Sequence, residues 1–484
     1  MKRNRRELLG DLGIASASTF LWALGCGGPA KTIRETTEAK GTSNEVRARL
    51  REAVARLAAL YPTVHSLAVI RRRTTAAVDV LGTGVARAWR DGVVLTVRDK
   101  DGTWREQVSS DLSQAGIAAA VRALVGTSTK RATFDIGPVP PTPAAPTRID
   151  DVKLRKRVEA ITSFETRDSR VVYAAGMIDI DDSTVWSIAP GHDREQRLVR
   201  VRNRVLRAAW NGTRPVVGEA ELAWIGNVDD HLLDEDAVRG ATKRALELMT
   251  PGTFEDKERT VILEPSVTAT LIDAGTRALL TSAAALRPEV KRRLVIGATV
   301  AGPLVTLVDD PTVGGAYGGF VFDDEGDVAA PITLVDGGRL AGVLADRAGG
   351  GHGRGRRPGH VGPVEPSPSH LRLAPGKLPH AALNDDGFIL EGGGTAIVDP
   401  STTRVVIGAA RARELRGGKE TGRVYADVEL VGDLAVLLAA VSGVSSDSAV
   451  IAYRDERDGE PRWRSIDAPW LRTTGLVRAR RRRA

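Results

Sequence analysis

Apolar positions alternate with polar ones in two different rhythms along this chain. Val46, Leu50, Val54 and Leu57 fall on one face at helical spacing, with Arg and Glu opposite, so a helix capped at Asn44 is predicted to run to about Leu60. Short runs with strand character follow over His65–Ile70, Ala76–Leu81, Gly84–Trp89 and Val93–Arg98, and Asp91-Gly92 and Asp101-Gly102 supply turns. Asp111 is placed to cap a second helix, over about Leu112–Val125. Five prolines between Gly137 and Pro146 predict an extended connector. A short helix is expected from Asp150 or Asp151, then strands over Ser169–Met177, Val185–Ile188 and Gln196–Trp210. A helix over Leu232–Leu248 should turn Val238, Ala241, Ala245 and Leu248 inward.

The second half is richer in glycine and in β-branched runs. Leu304–Val308 reads as a buried strand stopped by Asp309-Asp310-Pro311. A glycine-rich loop, Gly314–Gly319, leads to a short strand at Phe320–Phe322 and an acidic turn, Asp323-Asp324-Glu325-Gly326. Pro331–Val335 and Leu340–Leu344 form a hairpin about Asp336-Gly337-Gly338. Further strands are expected over Val405–Ala412 and Arg423–Leu430, and Gly432-Asp433-Leu434 opens a helix to about Ala440. Together these elements predict an α+β fold: an N-terminal mixed α/β domain, then a β-rich C-terminal domain.

Several motifs in order resemble the TldD/PmbA family: Val308-Asp309-Asp310-Pro311-Thr312, then Asp323–Gly326, then Gly342-Val343-Leu344-Ala345-Asp346-Arg347. The resemblance implies boundaries of 44–255 for an N-terminal and middle region and 256–477 for the C-terminal domain. Its TldD branch contains zinc peptidases, in which a helix carries H-E-x-x-x-H and a later cysteine completes the site. Neutral imidazole and thiolate hold the ion, and the glutamate takes the proton of its water. In this chain the helix is expected over Ser266–Leu280, after Thr260–Pro265. Asp273-Ala274 falls where the first His-Glu pair would stand, and Arg277-Ala278 where the second histidine would. No histidine lies between His231 and His352, and the single cysteine is Cys26. No catalytic or metal-ligating residue is therefore assigned and no zinc is expected, as in the PmbA branch. Asp273 and Arg277 read as an i,i+4 pair on the helix surface. His65, His192 and His231 read as unrelated packing or surface histidines. Asp309, Asp310, Arg354, Arg356, His360 and His370 are candidate cleft residues, the last four in or beside the glycine- and arginine-rich segment Gly349–His360.

Charge narrows the function classes. The net charge is +8, but the leader contributes +2 and the 478–484 tail +5. A body near +1 lacks the broad basic face that phosphate backbones require, so no nucleic-acid partner is expected. Residues 1–27 read as an export signal: Arg5-Arg6 resembles a twin-arginine motif, and Cys26 a lipidation site, with 28–43 as tether. The expected protein is an exported, lipid-anchored, non-catalytic relative of these peptidases, touching the membrane only through its anchor. It would bind peptide, a TldD-type homologue or a second copy of itself. The alternatives are an active metallopeptidase with a rearranged or partner-supplied zinc site, a structural or regulatory envelope lipoprotein, and a cytoplasmic location.

Overall fold

The computed structural model describes residues 43–80, 82–126, 130–133, 150–163, 168–292, 294–399, 401–457 and 460–480. Arg5, Arg6, Cys26 and the Gly137–Pro146 connector lie outside them. The N-terminal half comprises α1 (Ser43–Ala58), β1 (Thr63–Asp79), β2 (Gly82–Arg98), β3 (Trp104–Ser109), α2 (Gln114–Val125), α3 (Asp151–Ser163), β4 (Val171–Ala189), β5 (His192–Trp210), β6 (Pro215–Ile225) and α4 (Glu235–Glu247). Its strands form one antiparallel sheet in the order β3-β2-β1-β4-β5-β6. The four short runs expected between His65 and Arg98 are two strands of 17 residues each. Polar residues inside them read as turns in the sequence, yet β1 is buried along most of its length and β2 only over its second half. Likewise, Ser169–Met177 and Val185–Ile188 are one strand, β4. The helix expected from Leu112 starts at Gln114; Ser113 caps it, and Asp111 instead receives the Ser113 N–H.

Alternation decides what each face meets. One face of the sheet carries Val64, Ala68, Ala76, Ile178, Ile180, Trp186, Val201 and Val205 beneath the four helices. Gly218 of β6 allows α4 to lie against the strand: a Cβ there would stand 1.9 Å from the Ala241 carbonyl oxygen. The opposite face carries His65, Arg71, Arg73, Asp179, Asp181, Ser187 and Arg200, and it packs against the C-terminal half.

That half comprises β7 (Lys257–Leu263), α5 (Pro265–Leu279), α6 (Pro288–Lys291), β8 (Leu307–Asp309), β9 (Ile332–Asp336), β10 (Arg339–Leu340), β11 (Gly355–Arg356), β12 (Glu365–Pro366), β13 (His370–Leu373), β14 (Gly387–Glu391), β15 (Thr395–Val398), β16 (Arg404–Arg416), β17 (Lys419–Asp433), α7 (Leu434–Ala439), β18 (Gly443–Arg457) and β19 (Glu460–Ala479). Pairings β7–β14–β16–β17–β19 return to β7, so five strands close on themselves. The N-terminal part of β19 also pairs with β18 and, in parallel, with β13, which carries β8, β9 and β10. Its core holds Val261, Leu263, Leu271, Leu371, Leu390, Ile407, Leu430, Ile466 and Leu471.

Three expectations need correction here. The Leu304–Val308 strand is only Leu307–Asp309, and Leu304 is half exposed. Phe320–Phe322 is not a strand; Phe322 makes an isolated bridge to Val328. The tail assigned to 478–484 is in part structural. β19 runs through Ala479, and Arg478 pairs with Glu429 at 2.8 Å. The β18–β19 hairpin and β6 escaped the sequence reading, because charged residues interrupt their apolar runs.

Candidate functional site

Helix α5 is the natural place to start, since it stands where the sequence predicts the metal helix. Glu264 caps it through the Ser266 N–H at 3.2 Å, and Pro265 occupies its first turn. Every residue from Pro265 to Thr276 except Ser266 is buried, so the helix runs through the interior. Asp273 is therefore not a surface residue, as expected, but 3% exposed. Arg277 does donate to it, Nε to Oδ2 at 2.9 Å, as the i,i+4 spacing foresaw. A second guanidinium, from Arg464 on β19, grips the same carboxylate: Nε donates to Oδ1 at 2.8 Å and an Nη to Oδ2 at 3.2 Å. The other Nη of Arg464 donates to Asp455 on β18 at 2.5 Å. Burial by itself lowers the pKa of Arg464, but Asp273 and Asp455 outweigh it and hold the value above the ordinary one. Burial also opposes the Asp455 charge, and Arg464 overrides it and lowers that carboxyl's pKa. Tyr453 completes the locus, with its hydroxyl 3.1 Å from Thr270 Oγ1 and its ring beneath Arg464. Ala274 is buried and Ala278 partly so, and neither offers a ligand atom.

The residues present do not fit a zinc ion. Asp273 and Asp455 are the only ligand-type groups in this network, both are engaged by guanidinium, and the position between them is already cationic. This donor set supports no metal-dependent step.

The β18–β19 hairpin has a second polar face, toward the N-terminal sheet. Asp179 accepts from Arg73 at 2.8 Å, Thr75 at 2.6 Å and Arg454 at 2.6 Å, tying β1, β4 and β18 together. The guanidinium groups of Arg71 and Arg200 lie over the Trp463 ring, 4.8 and 4.2 Å from its centre. Arg200 also donates to the carbonyls of Tyr317, at 3.0 Å, and Gly319. Burial, reinforced by Arg356, pushes its pKa down to about 9. Asp181 is buried with Arg71 3.5 Å away, and desolvation raises its pKa.

The acidic turn 323–326 docks onto the same sheet. His65 Nε2 and His192 Nε2 both lie against Ser187 Oγ, at 2.8 and 2.9 Å. Two of the three histidines taken as unrelated thus share one hydroxyl. Gly326 seals the group: a Cβ there would stand 2.3 Å from Ser187 Oγ. Burial, with Arg347, holds His65 well below its usual pKa, and burial with Arg194 lowers His192 to about 4. Within the turn, Asp323, Glu325 and Asp327 bring carboxylate oxygens within 4.8 Å of one another. Those oxygens already serve the chain: Asp323 accepts from the N–H groups of Glu325, Asp327 and Gly355, and Glu325 from that of Arg347. Burial still raises Asp323 to about 7.

The predicted cleft residues serve as internal struts. Asp309 is fully buried; Arg354 pairs with it, and the Ser369 N–H and Oγ donate to it at 2.8 and 3.0 Å. Asp310 organises its own turn through Thr312. Arg356 pairs with Asp324 and covers Phe320. The His360 ring packs where a Gly92 Cβ would be, 3.3 Å from Ser110 Oγ, and His370 Nδ1 meets Ser465 Oγ at 2.9 Å. Each is buried except Asp310, which is partly so. In the sequence these residues read as exposed because glycine and charge surround them. Their partners lie up to 250 positions away.

Known proteins share this architecture. A metalloprotease of Methanocaldococcus jannaschii is 26% identical over 229 residues, 46% of this chain and 50% of that one. The chain thus matches about half of that relative's length. A metalloprotease of Methanothermobacter thermautotrophicus is 23% identical over 369 residues, 72% of this chain and 80% of the other. Two crystal structures superpose on most of the fold. One is a protein from Thermotoga maritima described as a candidate modulator of DNA gyrase (TM-score 0.72, 17% identity, 90% of this chain, 100% of that one). The other is TldE from Thermococcus kodakarensis (TM-score 0.65, 16% identity, 90% and 99%). Residues 256–479 match the family model of the PmbA/TldA metallopeptidase C-terminal domain. That region, which contains α5, the acidic turn and the β18–β19 hairpin, is a C-terminal domain of the TldD/PmbA family.

Proposed function

We propose that this protein is a non-hydrolytic member of the family, binding peptide or a TldD-type subunit instead of cleaving peptide bonds itself. One observation carries the reading: at the family's metal helix, Asp273 is held by Arg277 and Arg464, with neither imidazole nor thiolate in the network. The likeness to TldE supports a paired-subunit arrangement, and a second copy of this chain is the other candidate partner. The leader motifs support export with lipidation at Cys26.

The test is a zinc measurement on the purified full chain, with a peptidase assay on a peptide library. Less than about 0.1 zinc per chain and no cleavage are expected, with hydrolysis appearing only alongside a homologue carrying H-E-x-x-x-H. The names of the archaeal relatives favour an alternative, an active metallopeptidase with a rearranged site. Stoichiometric zinc with chelator-sensitive cleavage by the chain alone would establish it.

A further inference from the structure

We infer that the α5 locus is a cation site whose permanent occupant is the chain's own Arg464 guanidinium. This rests on the non-hydrolytic reading and deepens it, because it says which cation holds the locus together. The locus contains four charged groups that alternate in sign: Arg277, Asp273, Arg464, Asp455. Their side chains come from α5, β18 and β19, with α5 far from the other two in sequence. Arg464 sits in the middle, 2% exposed, and commits Nε and both Nη to the two carboxylates. It is a planar cation cross-linking two anions on different elements, which is the mechanical task of a coordinated ion. Arg277 and Asp455 are each 47% exposed in their side chains and close the network toward solvent. The ring of Tyr453 lies 5.9 Å below the guanidinium and adds a π-face suited to any flat cation. A guanidinium cannot be chelated away, so the helix stays fastened to the hairpin whatever the metal supply.

If the site selects for a cation, and not for arginine's bulk, removing the side chain leaves a vacancy that a small guanidinium salt can fill. The experiment follows thermal unfolding of the full chain and of Arg464→Ala, with methylguanidinium chloride or sodium chloride at equal, low millimolar concentration. Arg464→Ala is expected to lose several degrees in Tm, methylguanidinium to restore most of the loss, and sodium chloride to restore none. In Asp273→Asn/Arg464→Ala the restoration should vanish, since the carboxylate that holds the cation is gone. Unfolding of Arg464→Ala at the wild-type temperature overturns the inference, as does no restoration or equal restoration in the double variant. Should Arg464→Ala not accumulate as folded protein, Arg464→Lys and Arg464→Met decide. The lysine variant should be the more stable, and equal stability overturns the inference. Stoichiometric zinc in the wild-type chain would overturn the function proposed above and this inference with it; a failed rescue removes this inference alone.

Discussion

Asp309 gives the sharpest measure of how the family motif is used in this chain. It is the second-to-last residue before the strand-stopping proline, fully buried, and it faces the guanidinium of Arg354, itself 1% exposed. Asp309→Ala removes the counter-charge and leaves the Ser369 N–H without its acceptor. Arg354 retains carbonyl acceptors at Asp309, 2.9 Å, and Ala330, 2.7 Å, so its hydrogen bonding is only partly lost. An uncompensated buried charge costs about 3–5 kcal/mol, and an orphaned buried N–H about 1–3 kcal/mol. The two share one relaxation, so a loss of about 4–5 kcal/mol is expected, not their full sum. Removing both partners, in Asp309→Ala/Arg354→Ala, spares the buried charge and should cost less than the two single changes added together. The assay is urea unfolding followed by Trp fluorescence and far-UV circular dichroism, with the double-mutant cycle giving the coupling. A coupling of about 3 kcal/mol is expected; one below about 1 kcal/mol, the range of an exposed ion pair, refutes the strut assignment.

Two further outcomes follow from the interface and the packing. Two histidines, His65 buried and His192 partly so, make stability depend on pH: both are held neutral, so the unfolded chain takes up their protons first and stability falls as pH drops from about 6.5 toward 4. Asp323, raised to about 7, acts oppositely, losing stability as pH rises from its unfolded value through 7. The histidine contribution is therefore read as a difference: His192→Gln should flatten the urea midpoint between pH 4.5 and 6.5 relative to wild type, and unchanged curvature counts against the Ser187 cluster. Gly218→Ala drives a methyl into the Ala241 carbonyl and should cost about 2–3 kcal/mol by overpacking; a neutral effect in urea unfolding would mean α4 does not lie as close to β6 as described.

Local pattern reached some of this and not the rest. The α5 helix, the hairpin turn at Asp336-Gly337-Gly338 and the Val238, Ala241, Ala245, Leu248 face were legible because apolar period and turn chemistry are written in neighbouring residues, though the return strand expected over Leu340–Leu344 is only Arg339–Leu340. Strand lengths were not: β1, β4 and β5 carry charged residues within their runs, and a charged strand buried on both faces looks like a series of loops.

The sequence by itself determined the order of motifs, the α+β class and the absence of histidine and cysteine from the metal helix. These are facts about residue type at fixed spacing. Only the tertiary structure decided what stands there instead. Asp273 reads as a surface pair with Arg277 until the β18–β19 hairpin brings Arg464 to it from 191 positions away. The same packing turned the supposed cleft residues into struts and joined His65 to His192 through Ser187. Burial and counter-charge are properties of what closes over a residue, and in this fold the closing segments come from the far end of the chain.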